Sequence, residues 1–329
     1  MIHSLAHSGN YLNTSFKHVA VVGAGAVGSF YGAMLARAGH TVTLIGREAH
    51  MEAVAKNGLQ LDLANASGIE SIPIHTSTEI AVVKHADLVL FCVKSTDSES
   101  VANEIALHLL PTAIVISLQN GVENSKLIAQ HVKNAVIPAV VYVASEITAP
   151  GCVKHHGRGD LVIGTMSPPR LNHPRETLAD IAGFFASAHV DVRISDNVMV
   201  ELWSKLMVNC AFNAISGLSQ HSYGHLAALD LIRATQATVV KEVIAVAKAD
   251  GVDMSETDAL HTVANIAVAM AGQKSSTAQD MARRKVSEID HLNGFIVRRG
   301  LALGIATPVN QALYALVKLV ESSYAEGNT

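Results

Sequence analysis

The sequence predicts an α/β protein: a doubly wound parallel sheet in the N-terminal part, followed by an all-helical C-terminal domain. Two observations support this fold class. Up to residue 195, short apolar runs alternate with helical patterns, as in successive strand–helix–strand units. From there to residue 322 the apolar spacing is helical and no segment has the pattern of a strand. We therefore expect a loose extension at 1–17 and domains at 18–195 and 196–329.

Composition excludes several classes of function. The net charge is −4 and no stripe of Lys and Arg is present, which argues against nucleic-acid binding. The three cysteines are far apart in the chain, so we expect no disulfide framework, no metal site and a cytoplasmic location. The uncharged stretch Val19–Ala36 contains three glycines of a turn, so it fits a strand, turn and helix better than a membrane span.

The first strand, predicted at Lys17–Val22, leads directly into Gly23-Ala24-Gly25-Ala26-Val27-Gly28. A helical pattern and a second strand at Thr41–Ile45 follow, which is the context of a dinucleotide-binding fingerprint. Gly23 is expected to make the tight turn, Gly25 to let a pyrophosphate approach, and Gly28 to let helix and strand pack closely. These features predict a Rossmann-type domain.

The residues after the second strand favour NADP over NAD. NAD enzymes usually place an acidic residue at this strand end, where it binds the ribose 2′-hydroxyl. Here the strand is followed by Gly46-Arg47, and the guanidinium suits a 2′-phosphate. Two observations leave the choice open: Glu48 follows directly, and Arg47 has an alternative role as the start of the next helix.

Three further apolar runs are typical of buried parallel strands, and polar residues follow each of them. Since ligands bind beyond the carboxyl ends of such strands, these polar residues are candidate site residues. The runs are Leu88–Val93 before Lys94, Ala113–Leu118 before Gln119-Asn120-Gly121, and Ala135–Val143 before Ala144-Ser145-Glu146. Asn120-Gly121 has the alternative interpretation of a simple turn.

The segment Glu201–Ile215 is mostly apolar, yet Lys205, Asn209 and Asn213 recur every fourth residue. On a helix this spacing places them on one face, with Glu201 one turn earlier. Unpaired polar groups inside an apolar helix cost about 1–3 kcal/mol each, so the stripe is expected to line a cleft. A structural hydrogen-bond network between helices is the alternative.

The remaining elements are predicted from periodicity and from Gly and Pro positions. They are a β segment at 151–164, a helix at 175–188, an edge strand at 190–194 and helices at 200–217, 226–250, 256–272, 277–302 and 308–323. From spacing alone, Ser276 is a helix cap and Glu288 a surface carboxylate.

Residues 18–322 resemble the ketopantoate reductase (2-dehydropantoate 2-reductase) family. The blocks that carry the resemblance, with matching spacings, are GAGAVG at 23–28, Gly46-Arg47, Val93-Lys94, Gln119-Asn120-Gly121, LWSKLMVNCAFNA at 202–214, Ser275-Ser276 with Asp280, and SEIDHLNGFIVRRG at 287–300. The resemblance implies NADPH-dependent reduction of ketopantoate to pantoate, in pantothenate and coenzyme A biosynthesis.

The resemblance also implies roles for residues. Lys205 is the catalytic acid, and Glu288 positions Lys205 or the nicotinamide ribose. Cofactor-binding positions are Gly23, Ala24, Gly25, Ala26, Val27, Gly28, Arg47, Lys94, Asn120, Ala144 and Glu288. Substrate-binding positions are Lys205, Asn209, Asn213 and Ser276.

Two alternatives stay open at this point. Tyr223 stands where family members often have a polar, substrate-contacting residue before a glycine; its bulkier ring would reshape the pocket, so a reductase of another, bulkier 2-oxo acid is one alternative. A non-catalytic NADP-binding sensor is the alternative from another class, although the intact lysine and asparagines argue against it. The expected partners are a small 2-oxo acid and, because the second domain is rich in helices, a second copy of the chain.

Overall fold

The computed structural model of the protein describes residues 16–324, and the strands in that range form one ten-stranded sheet. The strands are β1 His18–Val22, β2 Thr41–Ile45, β3 Leu59–Asp62, β4 Ile69–Ile72, β5 His75–Ser77, β6 Leu88–Phe91, β7 Ile114–Ser117, β8 Ala135–Ala149, β9 Cys152–Ile163 and β10 Val192–Ile194.

Helices alternate with the strands along the chain and are the main elements of residues 198–322. They are α1 Ala26–Arg37, α2 Glu48–Asn57, α3 Ser98–Ala106, α4 Asn124–His131, α5 Pro174–Ala186, α6 Val198–Ser219, α7 Tyr223–Ala227, α8 Asp230–Ala249, α9 Glu256–Ala269, α10 Ser276–Ala282, α11 Asn293–Leu303 and α12 Pro308–Ser322. Short 3₁₀ helices lie at Ile80–His85, Ser95–Asp97 and Ile289–His291. Within residues 16–324, no helix combines the length and apolar character needed to cross a membrane.

Six strands are parallel and lie in the order β5-β2-β1-β6-β7-β8. This is the strand order of a doubly wound dinucleotide-binding sheet. Side chains of β1 alternate between two cores: Val19 and Val21 belong to one, and Ala20 and Val22 to the other. A strand buried on both faces must be apolar throughout, so the predicted doubly wound sheet is confirmed.

β8 differs from the prediction, which ended this strand at Val143. The strand continues to Ala149 because its second part pairs antiparallel with β9. Ser145 and Glu146 lie opposite His155 and Lys154 inside this pair, so they do not follow a strand end. β9 also pairs with β3 and β10, which accounts for the strands expected at 151–164 and 190–194.

The boundary expected for the N-terminal extension is wrong for its last two residues. Phe16 is buried and packs edge to face on Phe184, with ring centroids 5.4 Å apart. The backbone N–H of Lys17 donates to Asp87 Oδ2 at 2.9 Å. Both residues therefore belong to the packed sheet domain, and the rest of the expected extension, 1–15, lies outside the described residues.

Contacts divide the chain into two compact units. Among the described residues, the first comprises 16–119 and Asn124–Val198, and the second comprises Asn120–Glu123 and 199–324. The segment 120–123 thus groups with the helical unit although it follows β7 in the chain.

The helical unit has a core around α6, where Trp203 lies 5.7 Å from Phe295 between ring centroids. A buried polar chain joins its helices. The Glu242 carboxylate accepts from the backbone N–H of Val309 and from both nitrogens of Asn310, at 2.7–2.9 Å. A carboxylate at the N-terminus of α12 satisfies N–H groups that no helical turn can satisfy.

The prediction of one helix over 277–302 is wrong. α10 ends at Ala282, and Arg284 adopts a left-handed backbone conformation (φ 52°) that no helix interior contains. Ser287 then donates from both its backbone N–H and its hydroxyl to Glu321 of α12. This competing bonding keeps the chain out of an α-helix until α11 begins at Asn293.

Candidate functional site

One face of α6 carries the polar stripe that the sequence predicts. Lys205 and Asn209 are half-buried, and Asn213 is buried. Leu206, Met207 and most other apolar residues of the helix are buried. A lysine in such surroundings requires a polar partner, because an unpaired buried ammonium is costly.

Asn120 is a polar partner of Lys205. The Lys205 ammonium donates to Asn120 Oδ1 at 2.9 Å, and Asn120 Nδ2 donates to Glu288 Oε2 at 3.0 Å. The amide is therefore fixed in one orientation, with its oxygen toward the lysine and its nitrogen toward the carboxylate. The result is a continuous hydrogen-bond chain from ammonium to carboxylate inside the helical unit.

The residues on either side of Asn120 place its side chain between Lys205 and Glu288. It follows Gln119, whose side-chain Nε2 donates to Val93 O at 2.9 Å and to Ser98 Oγ at 2.7 Å. Gly121 has a positive φ of 94°, so the turn expected from Asn120-Gly121 is present. The turn and the polar contact are both observed, and the turn directs the amide to its partners.

Asn213 lies beside the tyrosine that distinguishes this sequence. The Tyr223 hydroxyl is 3.5 Å from Asn213 Oδ1, and the Tyr223 ring stacks on Phe212 with centroids 4.4 Å apart. Burial raises the pKa of Tyr223 to about 12, so its hydroxyl keeps its proton and acts as a donor at neutral pH. The tyrosine therefore favours the orientation in which the Asn213 amide oxygen faces the Tyr223 hydroxyl and the amide nitrogen points away from it.

The two serines at the start of α10, Ser275 and Ser276, have different positions and contacts. Ser275 is the N-cap, since its hydroxyl accepts from Ala278 N at 3.0 Å. Ser276 is the first residue of the helix and is exposed. The expectation that Ser276 is the cap is therefore wrong by one residue, and its side chain is available for other contacts.

The glycine loop has the geometry that a bound dinucleotide needs. Gly23 has φ 99°, and its N–H and that of Ala24 donate to Ile45 O at 3.0 and 2.9 Å. A Cβ on Gly28 would lie 2.4 Å from Gly23 O, whereas a Cβ on Gly25 would meet no atom within 4 Å. The tight turn at Gly23 and the close packing at Gly28 are thus confirmed, and open space lies over Gly25.

The helix that follows the glycine loop begins without a side-chain cap. Gly25 occupies the N-cap position of α1, and the first turn contains no acidic residue. Free N–H groups and the positive end of the helix dipole therefore face the space over Gly25. This arrangement fits a pyrophosphate.

The end of β2 is tied to the same loop. Gly46 brings the chain so close that a Cβ there would lie 3.0 Å from Ala24 Cβ. Arg47 follows as the exposed N-cap residue of α2 and makes no capping bond with its side chain. Both roles considered for Arg47 are compatible with this position, since it starts the helix and its guanidinium projects from the surface.

The other predicted cofactor positions are less uniform. Lys94 is exposed and follows β6. Ala144 is half-buried inside β8, opposite Gly157, rather than beyond a strand end. Among the described residues, no group of three His, Cys, Asp or Glu side chains is placed to hold a metal ion.

Sequence reasoning missed the support for Glu288. Asp290 accepts from Lys318 Nζ at 2.8 Å and from the Tyr314 hydroxyl, and both donors are on α12. The available signal was weak: Lys318 and Glu321 have the i, i+3 spacing of an ordinary surface pair.

The parallel sheet, the glycine loop and the amide-linked lysine define a Rossmann-type oxidoreductase that uses a nicotinamide dinucleotide. Two family models cover most of the chain. "Ketopantoate reductase PanE/ApbA" matches residues 19–168, and "Ketopantoate reductase PanE/ApbA C terminal" matches residues 197–321. The chain belongs to the ketopantoate reductase family.

Relatives of nearly equal length agree with this assignment. The chain is 31% identical to a 2-dehydropantoate 2-reductase of Halobacterium salinarum, over 92% of its own length and 98% of the relative. It is 31% identical to one from Vibrio cholerae, over 94% and 99%. A PanE/ApbA family ketopantoate reductase structure from Ralstonia eutropha JMP134 superposes with a TM-score of 0.86 at 48% identity, covering 94% of this chain and 99% of the other.

Proposed function

We propose that this enzyme reduces ketopantoate to pantoate with NADPH, and that Lys205 is the general acid. The observation that carries the proposal is the hydrogen-bond chain Lys205–Asn120–Glu288. NADPH, when bound, supplies the hydride to the carbonyl carbon. The names of the relatives support the substrate, and the glycine loop supports the dinucleotide.

Lys205 donates a hydrogen bond and then its proton to the ketone oxygen. Its positive charge stabilises the negative charge that develops on this oxygen, in surroundings where apolar residues of α6 exclude water. General acid catalysis of this kind contributes about 10²–10⁴-fold to the rate. Asn120 holds the ammonium in place, and Glu288 holds the amide of Asn120.

Asn209, Asn213 and Ser276 are the proposed substrate contacts. Asn209 follows Lys205 by one helical turn and Asn213 by two, so their amides extend the polar face beyond the reacting ketone. The Tyr223 contact leaves the Asn213 nitrogen as the group available for a substrate oxygen. Ser276, exposed beside the Ser275 cap, contributes a hydroxyl for the carboxylate.

The structure supports some of the proposed cofactor contacts more than others. The proposed contacts are the glycine loop, Arg47, Lys94, Asn120, Ala144 and Glu288. The open space over Gly25 fits a pyrophosphate, and the Arg47 guanidinium beside Gly46 fits a 2′-phosphate. Glu288 serves the site through Asn120. The position of Ala144 inside β8 gives it backbone and methyl contacts only.

The decisive experiment follows the absorbance of reduced nicotinamide while purified protein is mixed with ketopantoate. Fast oxidation of NADPH, with much slower oxidation of NADH in a parallel sample, supports the reaction and the role of Arg47. Tight NADPH binding without turnover of ketopantoate would reject the substrate and leave the fold and cofactor in place.

A bulkier 2-oxo acid is the second candidate substrate, and Tyr223 is the observation that favours it. The ring is buried against Phe212, so replacing it changes the volume beside Asn213. The test compares wild type with Tyr223→Asn on ketopantoate and on aromatic 2-oxo acids. If wild type prefers the aromatic acids and the variant prefers ketopantoate, the second candidate replaces the first.

A homodimer and a cytoplasmic location stay predictions. The helical unit exposes Leu301, Leu316 and Leu319, which gives a second copy apolar surface to cover. Analytical ultracentrifugation of the purified protein tests the dimer, and a single species of 34.7 kDa would reject it.

A further inference from the structure

Glu288 lies between two residues, Ser287 and Asp290, that are both hydrogen-bonded to side chains of α12. On one side, the backbone N–H and the hydroxyl of Ser287 donate to Glu321 Oε1 at 2.8 and 2.6 Å. On the other side, Asp290 accepts from Lys318 Nζ at 2.8 Å and from the Tyr314 hydroxyl. The residues that flank Glu288 are therefore fixed by side chains of a helix that is distant in sequence.

Lys318 joins the two sides. Its ammonium lies 2.8 Å from Asp290 Oδ2 and 3.2 Å from Glu321 Oε2. The side chain of Glu321 is only 3% exposed, so its charge depends on these donors. Without Lys318, Glu321 would keep its bonds from Ser287 and Asp290 its bond from Tyr314, but the link between the two carboxylates would be lost.

The electrostatics agree with the contacts. Burial by itself would raise the pKa of Asp290, but hydrogen bonds from Lys318 and Tyr314 outweigh it and hold the pKa below its usual value. The hydrogen bond to Asp290 in turn raises the pKa of Lys318. Both groups are charged at neutral pH, so the link between α12 and residue 290 persists under working conditions.

We propose that Lys318 is a positioning residue for catalysis: it bridges Asp290 and Glu321 and thereby fixes the Glu288 carboxylate that orients Asn120 and Lys205. The inference rests on the proposed role of Lys205. Lys318 acts only through this segment. Its contribution is the alignment of Glu288 with Asn120 Nδ2, at 3.0 Å in the structure.

The experiment is a double-mutant cycle between Lys318→Met and Glu288→Gln in the full-length enzyme. Methionine keeps the apolar stem and removes the ammonium. We expect Lys318→Met to lower kcat about tenfold, because a displaced Glu288 carboxylate holds Asn120 and Lys205 less precisely, and to change KM for NADPH by no more than Glu288→Gln does. In the Glu288→Gln background the same change should lower kcat by less than about twofold. An equal loss in both backgrounds would overturn the proposal, because destabilisation of the fold does not depend on Glu288.

A matched control is available in the same unit. Lys241 pairs with Glu256 at 3.4 Å on the surface and has no part in this network. Lys241→Met should leave kcat and its pH profile unchanged. If Lys318→Met does not fold, Tyr314→Phe replaces it in the cycle, because it removes the other donor to Asp290.

A second readout does not depend on turnover. Acetic anhydride labels unprotonated lysines, and peptide mass spectrometry follows the labelling of Lys205 against pH. We expect Glu288→Gln to change the labelling profile of Lys205, because Glu288 holds the Asn120 amide that accepts from the ammonium, and Lys318→Met to change it in the same way with no further change in the double variant. A shift in Glu288→Gln alone would overturn the positioning role. Failure of wild type to turn over ketopantoate would instead reject the proposed substrate.

Discussion

The glycine loop (23–28) and the lysine cluster (Lys205, Asn120 and Glu288) differ in how their residues are brought together. The loop is six consecutive residues, and its shape follows from the local backbone, as at Gly23 with φ 99°. In the cluster, Asn120 is 85 residues from Lys205 and 168 from Glu288. We therefore expect the loop to be disrupted mainly by substitutions that add atoms. The cluster should be disrupted by substitutions that remove one of its side chains or a distant residue that holds them in place.

The largest expected effect tests the cluster. Lys205→Met should lower kcat about 10²–10⁴-fold, because the general acid is removed while the apolar stem stays. Stopped-flow and steady-state assays measure the loss, and fluorescence titration should give unchanged NADPH affinity. If kcat and NADPH affinity fell together, the assignment of catalysis to the cluster and of cofactor binding to the loop would be wrong.

A smaller effect is expected at the edge of the loop. Arg47→Gln should reduce the preference for NADPH over NADH at least tenfold, because a charge-assisted contact worth about 1.5–3 kcal/mol is lost. The ratio of kcat/KM for the two cofactors is the measurement, and NADH values serve as the internal control. An unchanged ratio would assign Arg47 to the start of α2 alone.

Two glycine variants distinguish packing from binding within the loop. Gly28→Ala places a Cβ 2.4 Å from Gly23 O and should destabilise the protein by about 1–3 kcal/mol. Gly25→Ala meets no atom, so its free energy of unfolding should change by less than about 0.5 kcal/mol while NADPH affinity falls. Urea unfolding and cofactor titration measure both. Equal stability losses would contradict the assigned roles.

The smallest effect concerns pH. Since the folded pKa of Asp290 is lowered from an ordinary value of 3.8, its pairing stabilises the protein above that pH and is lost as the pH falls through the folded value. Asp290→Asn should therefore cost about 1 kcal/mol or less at pH 7 and less still near pH 3. Urea midpoints at the two pH values measure this, and a larger cost at pH 3 would reverse the sign.

The same comparison explains what could be predicted from the sequence. The parallel strands and the Gly23 and Gly28 contacts were predictable because periodicity and glycine conformations are local properties. The stripe on α6 was predictable because helical spacing places Lys205 and Asn213 on one face. The full length of β8 depends on pairing with β9, and the break after Ala282 depends on Glu321, so neither has a local signal.

The resemblance to a family added what spacing could not. From the pattern alone Glu288 was a surface carboxylate and Ser276 a cap. The structure instead has Ser275 as the cap and bonds Glu288 to Asn120. Their roles in substrate and cofactor binding stay predictions.

The short excursion of residues 120–123 into the helical unit has a consequence for dissecting the protein into modules. The chain passes between the two units after Gln119, after Glu123 and again after Val198. A gene fragment encoding 199–329 would carry Lys205 and Glu288 but lack the amide that joins them. Exchange of helical halves between homologous genes at that single boundary would likewise leave Asn120 with its old parent, so recombination within this family has to carry a four-residue insert from the sheet domain with it.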